Sequence, residues 1–134
     1  MDLIAELRAL TDALNGAGIP YAICGGIAVT VHGATRSTKD IDLLIQVEDL
    51  DRILATIEPL GFRFRAAPIT FDRGTRMERC LHRVTKLQGE HFLMVDLLVA
   101  GSAFQSVWES REIVSLPEGE LSVVSLDGLA LMKR

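Results

Sequence analysis

Apolar positions along the chain recur in two rhythms, and the change from one to the other outlines the secondary structure. From residue 2 to about 16, Leu3, Leu7, Leu10 and Leu14 return every three or four positions, which predicts an amphipathic helix that Gly16 and Gly18 bring to an end. Tyr21-Ala22-Ile23-Cys24 is a short apolar strand cut off by Gly25-Gly26, and Ile27 to His32 reads as a short helix closed by Gly33. Ala34 to Lys39 is a polar connection, followed by a strongly apolar strand over Asp40 to Val47. Asp49 to Leu60 is helical, with Leu50, Ile53, Leu54 and Ile57 on one face and Gly61 as its stop.

The second half is richer in strands. Phe62 to Ala66 is a strand, and residues 67 to 76, which include Pro68 and Gly74, form a loop. Met77 to Leu87 alternates loosely and reads as a strand, with helix as the alternative. Gln88-Gly89-Glu90 is a turn into the apolar strand His91 to Val99, and Ser102 is placed to cap a short helix through Trp108. Val114 to Val124 predicts a hairpin around Pro117-Glu118-Gly119, and Ser125 caps a final helix that is cut short at Arg134. The order implies an α/β (α+β) fold with a mixed sheet and helices packed against it. Repeats, linkers and low-complexity tracts are missing, so residues 1–134 are expected to form one domain.

Composition narrows the class. About half of the 134 residues are apolar and a quarter are charged, the balance of an ordinary globular protein. Apolar runs are too short to span a bilayer, and the first residues lack a basic segment followed by an apolar one, so a cytoplasmic protein without membrane contact is expected. Cys24 and Cys80 match no metal-ligand spacing and are expected to be free thiols. His32, His82 and His91 share no metal-binding spacing either, and Trp108 near Phe104 reads as core. The formal charge of −4 argues against a general nucleic-acid binder. Between Arg63 and Lys86, however, seven basic residues stand against two acidic ones, which gives +5 there and leaves −9 for the rest. Such a segment suits a polyanionic partner or a phosphate, or equally a solvated strand pair.

The most specific stretch runs from Gly25 to Ile45, GGIAVTVHGATRSTKDIDLLI. Asp40 and Asp42 stand two apart in a strand, so both project from one face while Ile41, Leu43 and Ile45 point to the other. Two carboxylates that close repel each other, and a divalent cation such as Mg²⁺ relieves the conflict. Asp96 lies in the most apolar run of the chain, where a lone carboxylate is costly unless paired or metal-bound. Should its strand neighbour that of Asp40, the acids converge into a cradle for ions in phosphoryl transfer. The bland alternatives are a solvent-facing D-x-D pair and an Asp96 that merely partners an arginine. Gly25-Gly26, between strand and helix, allows a bound group close to the backbone.

With a glycine pair, a thirteen-residue spacer from Ile27 to Lys39, the Asp40-Ile41-Asp42 pair and a later acid at Asp96, the chain resembles the minimal nucleotidyltransferases of the DNA polymerase β-like superfamily. Arg36 and Thr38 before Asp40 make it similar to the AbiE-type toxin nucleotidyltransferases within that group. The resemblance covers roughly residues 19 to 99 and implies a nucleotidyltransferase fold. It implies Mg²⁺-dependent transfer of a nucleoside monophosphate from a nucleoside triphosphate to a hydroxyl of RNA, such as tRNA, or of protein. Asp40, Asp42 and Asp96 would hold metal and act in catalysis, and Gly25, Gly26, Arg36, Lys39 and Lys133 would hold the nucleotide. A toxin–antitoxin role with a cognate partner follows from the same likeness, and a homo-oligomer is compatible with it. The short C-terminus sets up an alternative, a catalytically weak nucleotidyltransferase-fold protein that acts by binding a partner.

Overall fold

The computed structural model describes residues 2–31, 40–117 and 119–132. Helix α1 (Leu3–Gly16) starts at Asp2, whose carboxylate accepts a hydrogen bond from the Ile4 backbone N–H at 3.0 Å. Its Leu7, Leu10 and Leu14 are buried, as the leucine spacing requires. Strand β1 (Ala22–Cys24) runs directly into helix α2 (Gly25–Val31), so the glycine pair forms the first turn of the helix instead of preceding it. Strand β2 (Ile41–Ile45) is followed by a 3₁₀ turn over Val47–Asp49, which ends the strand earlier than its apolar content suggests. Helix α3 (Leu50–Ile57) buries Ile53, Leu54 and Ile57 on the expected face. Gly61, with φ of 107°, closes the 3₁₀ turn that continues it.

Strands β3 (Phe62–Arg65), β4 (Ile69–Phe71), β5 (Arg79–Gln88) and β6 (His91–Val99) follow. Two expectations need correction here. The segment 67–76 contains β4, which pairs with Leu81, Cys80 and Arg79 of β5; it is mostly exposed, so no apolar alternation marks it. The helical alternative for Met77–Leu87 is overturned by β5, whose ladder against β6 is continuous from Leu81–Leu98 to Gln88–His91. A third correction concerns Ser102. It opens a 3₁₀ turn (Ser102–Phe104) without a side-chain cap, and helix α4 (Gln105–Glu109) comes after. Strands β7 (Glu112–Leu116) and β8 (Gly119–Val123) make the expected hairpin. Helix α5 (Leu126–Met132) has the expected Ser125 cap, its Oγ accepting from the Gly128 N–H at 3.0 Å.

Among the described residues the strands form one mixed sheet in the order β3-β5-β6-β2-β1-β8-β7, with β4 beside β5. β6 pairs parallel with β2, β2 antiparallel with β1, and β1 parallel with β8. Central β2 is buried on both faces: Ile41, Leu43, Leu44 and Ile45 are all fully covered. Leu44 shares a face with Asp42, which is only half-buried, so that face closes past the acid and opens toward Asp40. On the opposite face Lys86 reaches α1 and donates to both carboxylate oxygens of Glu6, at 2.8 and 2.9 Å. Phe104 and Trp108 are core residues, as expected. No described helix is long and apolar enough to cross a membrane.

Leu43, at the centre of β2 with no exposed surface, tests this packing. Leu43→Ala is expected to lower the unfolding free energy by about 2–5 kcal/mol in a denaturant titration. A loss within the error of the titration would show that β2 is not the buried centre of the sheet.

Candidate functional site

Four side chains stand in one row across four neighbouring strands. Cys24 of β1 pairs with Asp42 of β2, Asp42 with Asp96 of β6, and Asp96 with Arg83 of β5. Strand neighbours lie about 5 Å apart, so the two acids face each other across one inter-strand gap. Asp40 sits just before β2, half-buried, two residues from Asp42. The register therefore brings Asp42 to Asp96, while Asp40, expected within the strand, precedes it and is not among the residues lining the cavity below. Among the described residues, though, no three carboxylate, imidazole or thiol groups gather closely enough to hold an ion.

Arg83 holds one of these acids, Asp96. Its Nε donates to Asp96 Oδ1 at 2.7 Å and its Nη2 to Asp96 Oδ2 at 3.0 Å, a side-on bidentate pair. The Asp96 side chain is 8% exposed and that of Arg83 is 38% exposed. Hydrogen bonding to Asp96 and then its charge hold the Arg83 guanidinium above the usual arginine value, with smaller contributions from Asp40 and Asp42. On the other side of the row, burial first, then the charges of Asp42 and Asp96, push the Cys24 thiol up. The centre of the row is thus a negative field inside a partly desolvated wall.

A cavity of about 330 Å³ opens on this row. Gly25, Gly26, Asp42 and Asp96 form its polar side, and Val29, Leu98, Leu129 and Met132 its apolar side. Gly25 adopts φ of +66°, and a Cβ there would collide with Asp42 Oδ2 and stand 2.9 Å from Asp42 Cγ. Glycine is required both by the backbone and by the carboxylate beside it. The donor set, carboxylate oxygens in a negative pocket, is of the kind that suits Mg²⁺.

Gly25, Gly26, Asp42 and Asp96 line one cavity. Arg36, Lys39 and Lys133 lie outside the described residues. The basic segment divides: Arg79 pairs with Asp72 at 2.7 Å and stacks on Phe71 and Phe104, Arg83 serves Asp96, and Lys86 serves Glu6. Arg63, Arg65, Arg73 and Arg76 are exposed. Both cysteines are free thiols. Charge counting missed the specific place of Arg83, yet a signal exists. A two-residue turn at Gly89-Glu90 sets Gln88 against His91, and counting back along the hairpin reaches Arg83 opposite Asp96.

A family model described as aminoglycoside-2''-adenylyltransferase matches residues 6–106. A search of curated protein sequences gives no significant match. Among solved structures, a Thermotoga maritima protein assigned as a nucleotidyltransferase is similar, with a TM-score of 0.67 and 14% identity over 97% of this chain and 81% of that one. The enzyme ANT(2'')-Ia, in complex with adenylyl-2''-tobramycin, gives a TM-score of 0.58 and 17% identity over 94% of this chain and 71% of that one. At those identities the structures show a shared fold. The finer likeness to AbiE-type toxins is not what these matches support.

Gly25→Ala is the sharpest test of the site's geometry. We expect about 1–2 kcal/mol of lost stability from the left-handed backbone, together with displacement of Asp42, visible as chemical-shift changes at Asp42 and Asp96. An alanine variant with unchanged shifts and stability would contradict the close approach described above.

Proposed function

The chain belongs to the aminoglycoside-2''-adenylyltransferase family and is a nucleotidyltransferase, and on that footing we propose that it moves AMP from ATP, with Mg²⁺, to a hydroxyl of a small amine-bearing sugar acceptor. The observation that carries this reading is the register of Asp42 against Asp96 beside the Cβ-free wall at Gly25. The acceptor class draws on the family and on charge: outside its basic segment the chain is strongly acidic, which favours a cationic acceptor over a polyanion.

In the proposed reaction the acceptor oxygen attacks the α-phosphorus, the bond from that phosphorus to the bridging oxygen breaks, and pyrophosphate leaves. Asp40 and Asp42 would hold the metal, which when bound supplies charge neutralisation for the triphosphate. Gly25 and Gly26 let the triphosphate approach the backbone. Asp96 would take the proton of the acceptor hydroxyl, because a carboxylate held by Arg83 still has lone pairs to offer. Leu98, Leu129 and Met132 form the apolar wall of the same cavity, suited to the nucleotide's less polar parts.

A second reading, transfer to RNA or protein within a toxin–antitoxin pair, is favoured by the exposed arginines at 63, 65, 73 and 76. A third, binding of a partner without turnover, is set apart by the same assay. The four α-labelled nucleoside triphosphates are offered with Mg²⁺ and, in separate arms, tobramycin, tRNA and cell protein. We expect label from ATP on tobramycin, and Asp42→Asn is expected to reduce the rate roughly 100-fold or more while leaving the melting temperature nearly unchanged. Label on tRNA or protein alone would replace the sugar acceptor by the second reading. Nucleotide binding without transfer in any arm would leave only the third.

A further inference from the structure

Asp96 has a cation before any ligand arrives. Its side chain is 8% exposed in the apolar strand β6, where an uncompensated carboxylate is costly, and Arg83 meets both of its oxygens at 2.7 and 3.0 Å. The pairing is not a chance contact of two long side chains. β5 and β6 pair without interruption from Leu81–Leu98 to Gln88–His91, which puts Arg83 directly opposite Asp96. Its neighbours two residues away on the same strand face are Leu81 and Thr85, and theirs across the ladder are Leu98 and Met94. None of these four is an acid, and the further carboxylates that act on the guanidinium, Asp40 and Asp42, contribute less than Asp96. Arg83 is not among the residues lining the cavity, which Asp96 and Asp42 are, so the guanidinium neutralises Asp96 from the β5 side of the row.

We infer that Arg83 is a resident cation at Asp96 and takes the place of a second divalent ion there, so that one ion, on Asp40 and Asp42, accompanies the nucleotide. Both oxygens of Asp96 already accept from the Arg83 guanidinium, so a second ion at Asp96 would have to displace or stand against that cation. The inference rests on the nucleotidyltransferase reading and makes Arg83 a positioning residue: it acts through Asp96 and fixes where metal can bind.

The test counts metal and nucleotide separately. The chain is equilibrated with Mn²⁺ and a non-hydrolysable methylene analogue of ATP; bound Mn²⁺ is counted by electron paramagnetic resonance and bound nucleotide by absorbance. Wild type is expected to hold one Mn²⁺ per bound nucleotide. Arg83→Lys, which keeps the charge, is expected to stay at one, and Arg83→Gln to rise to two. Two ions per nucleotide on the wild type overturn the inference, and this count needs no variant to fold. One ion on both wild type and a folded Arg83→Gln overturns it as well, leaving Arg83 a purely structural partner. Nucleotide retained with the wrong metal count leaves the nucleotidyltransferase reading standing. No nucleotide retained at all overturns that reading, and the inference with it.

Discussion

Parallel pairing of β2 with β6 sets Ile41 against Val95 and Ile45 against Val99, and between those apolar pairs Asp42 has to face Asp96. A slip of one residue would move Asp42 to the face that now holds the fully covered Ile41, Leu43 and Ile45, a change the apolar strand strongly resists. Hydrophobic register thus does the work of catalytic placement. The same strand carries the glycine wall: β1 pairs antiparallel with β2, which puts Cys24 beside Asp42 and leaves Gly25 where any Cβ would meet the carboxylate.

Charge is distributed around that row with a clear asymmetry. Arg83 closes it on the β5 side, while the cavity and Gly25 open it on the β1 side. Burial first, and then the charges of Asp42 and Asp96, push the Cys24 thiol up, while the hydrogen bond to Asp96 and then its charge push the Arg83 guanidinium up. The remaining cations of the basic segment are divided between sheet maintenance and exposed surface. Lys86 tethers the sheet to α1 through Glu6, and Arg79 links β5 to Asp72, Phe71 and Phe104. A run of like charges in sequence is therefore not a patch in space, because alternate residues of a strand leave on opposite faces.

What could be read from the sequence follows the range of the interactions involved. Helices α1 and α3 were legible because their apolar faces repeat locally, and the D-x-D pair was legible because a strand puts alternate residues on one side. The β5–β6 turn is one residue shorter than expected: Gln88 joins the ladder against His91, and that step sets Arg83 opposite Asp96. By contrast, the meeting of β2 with β6 joins residues more than fifty positions apart, so Asp96 was singled out by its apolar setting and the family resemblance, and its pairing with Asp42 was not legible. Strand β4 was hidden because exposed edge residues have no need to alternate. The role expected of Ser102 failed because a 3₁₀ turn intervenes before α4 and the serine makes no capping bond there.

The central claim is that metal and nucleotide meet at the row formed by Asp42, Asp96 and the wall at Gly25. Paramagnetic broadening measures this directly: Mn²⁺ and a non-hydrolysable ATP analogue are added to the ¹⁵N-labelled chain, and amide signals are followed residue by residue. We expect losses centred on Gly25, Gly26, Asp42 and Asp96 and fading along β1, β2 and β6. Broadening centred on the β7–β8 hairpin, or none at saturating nucleotide, would contradict it.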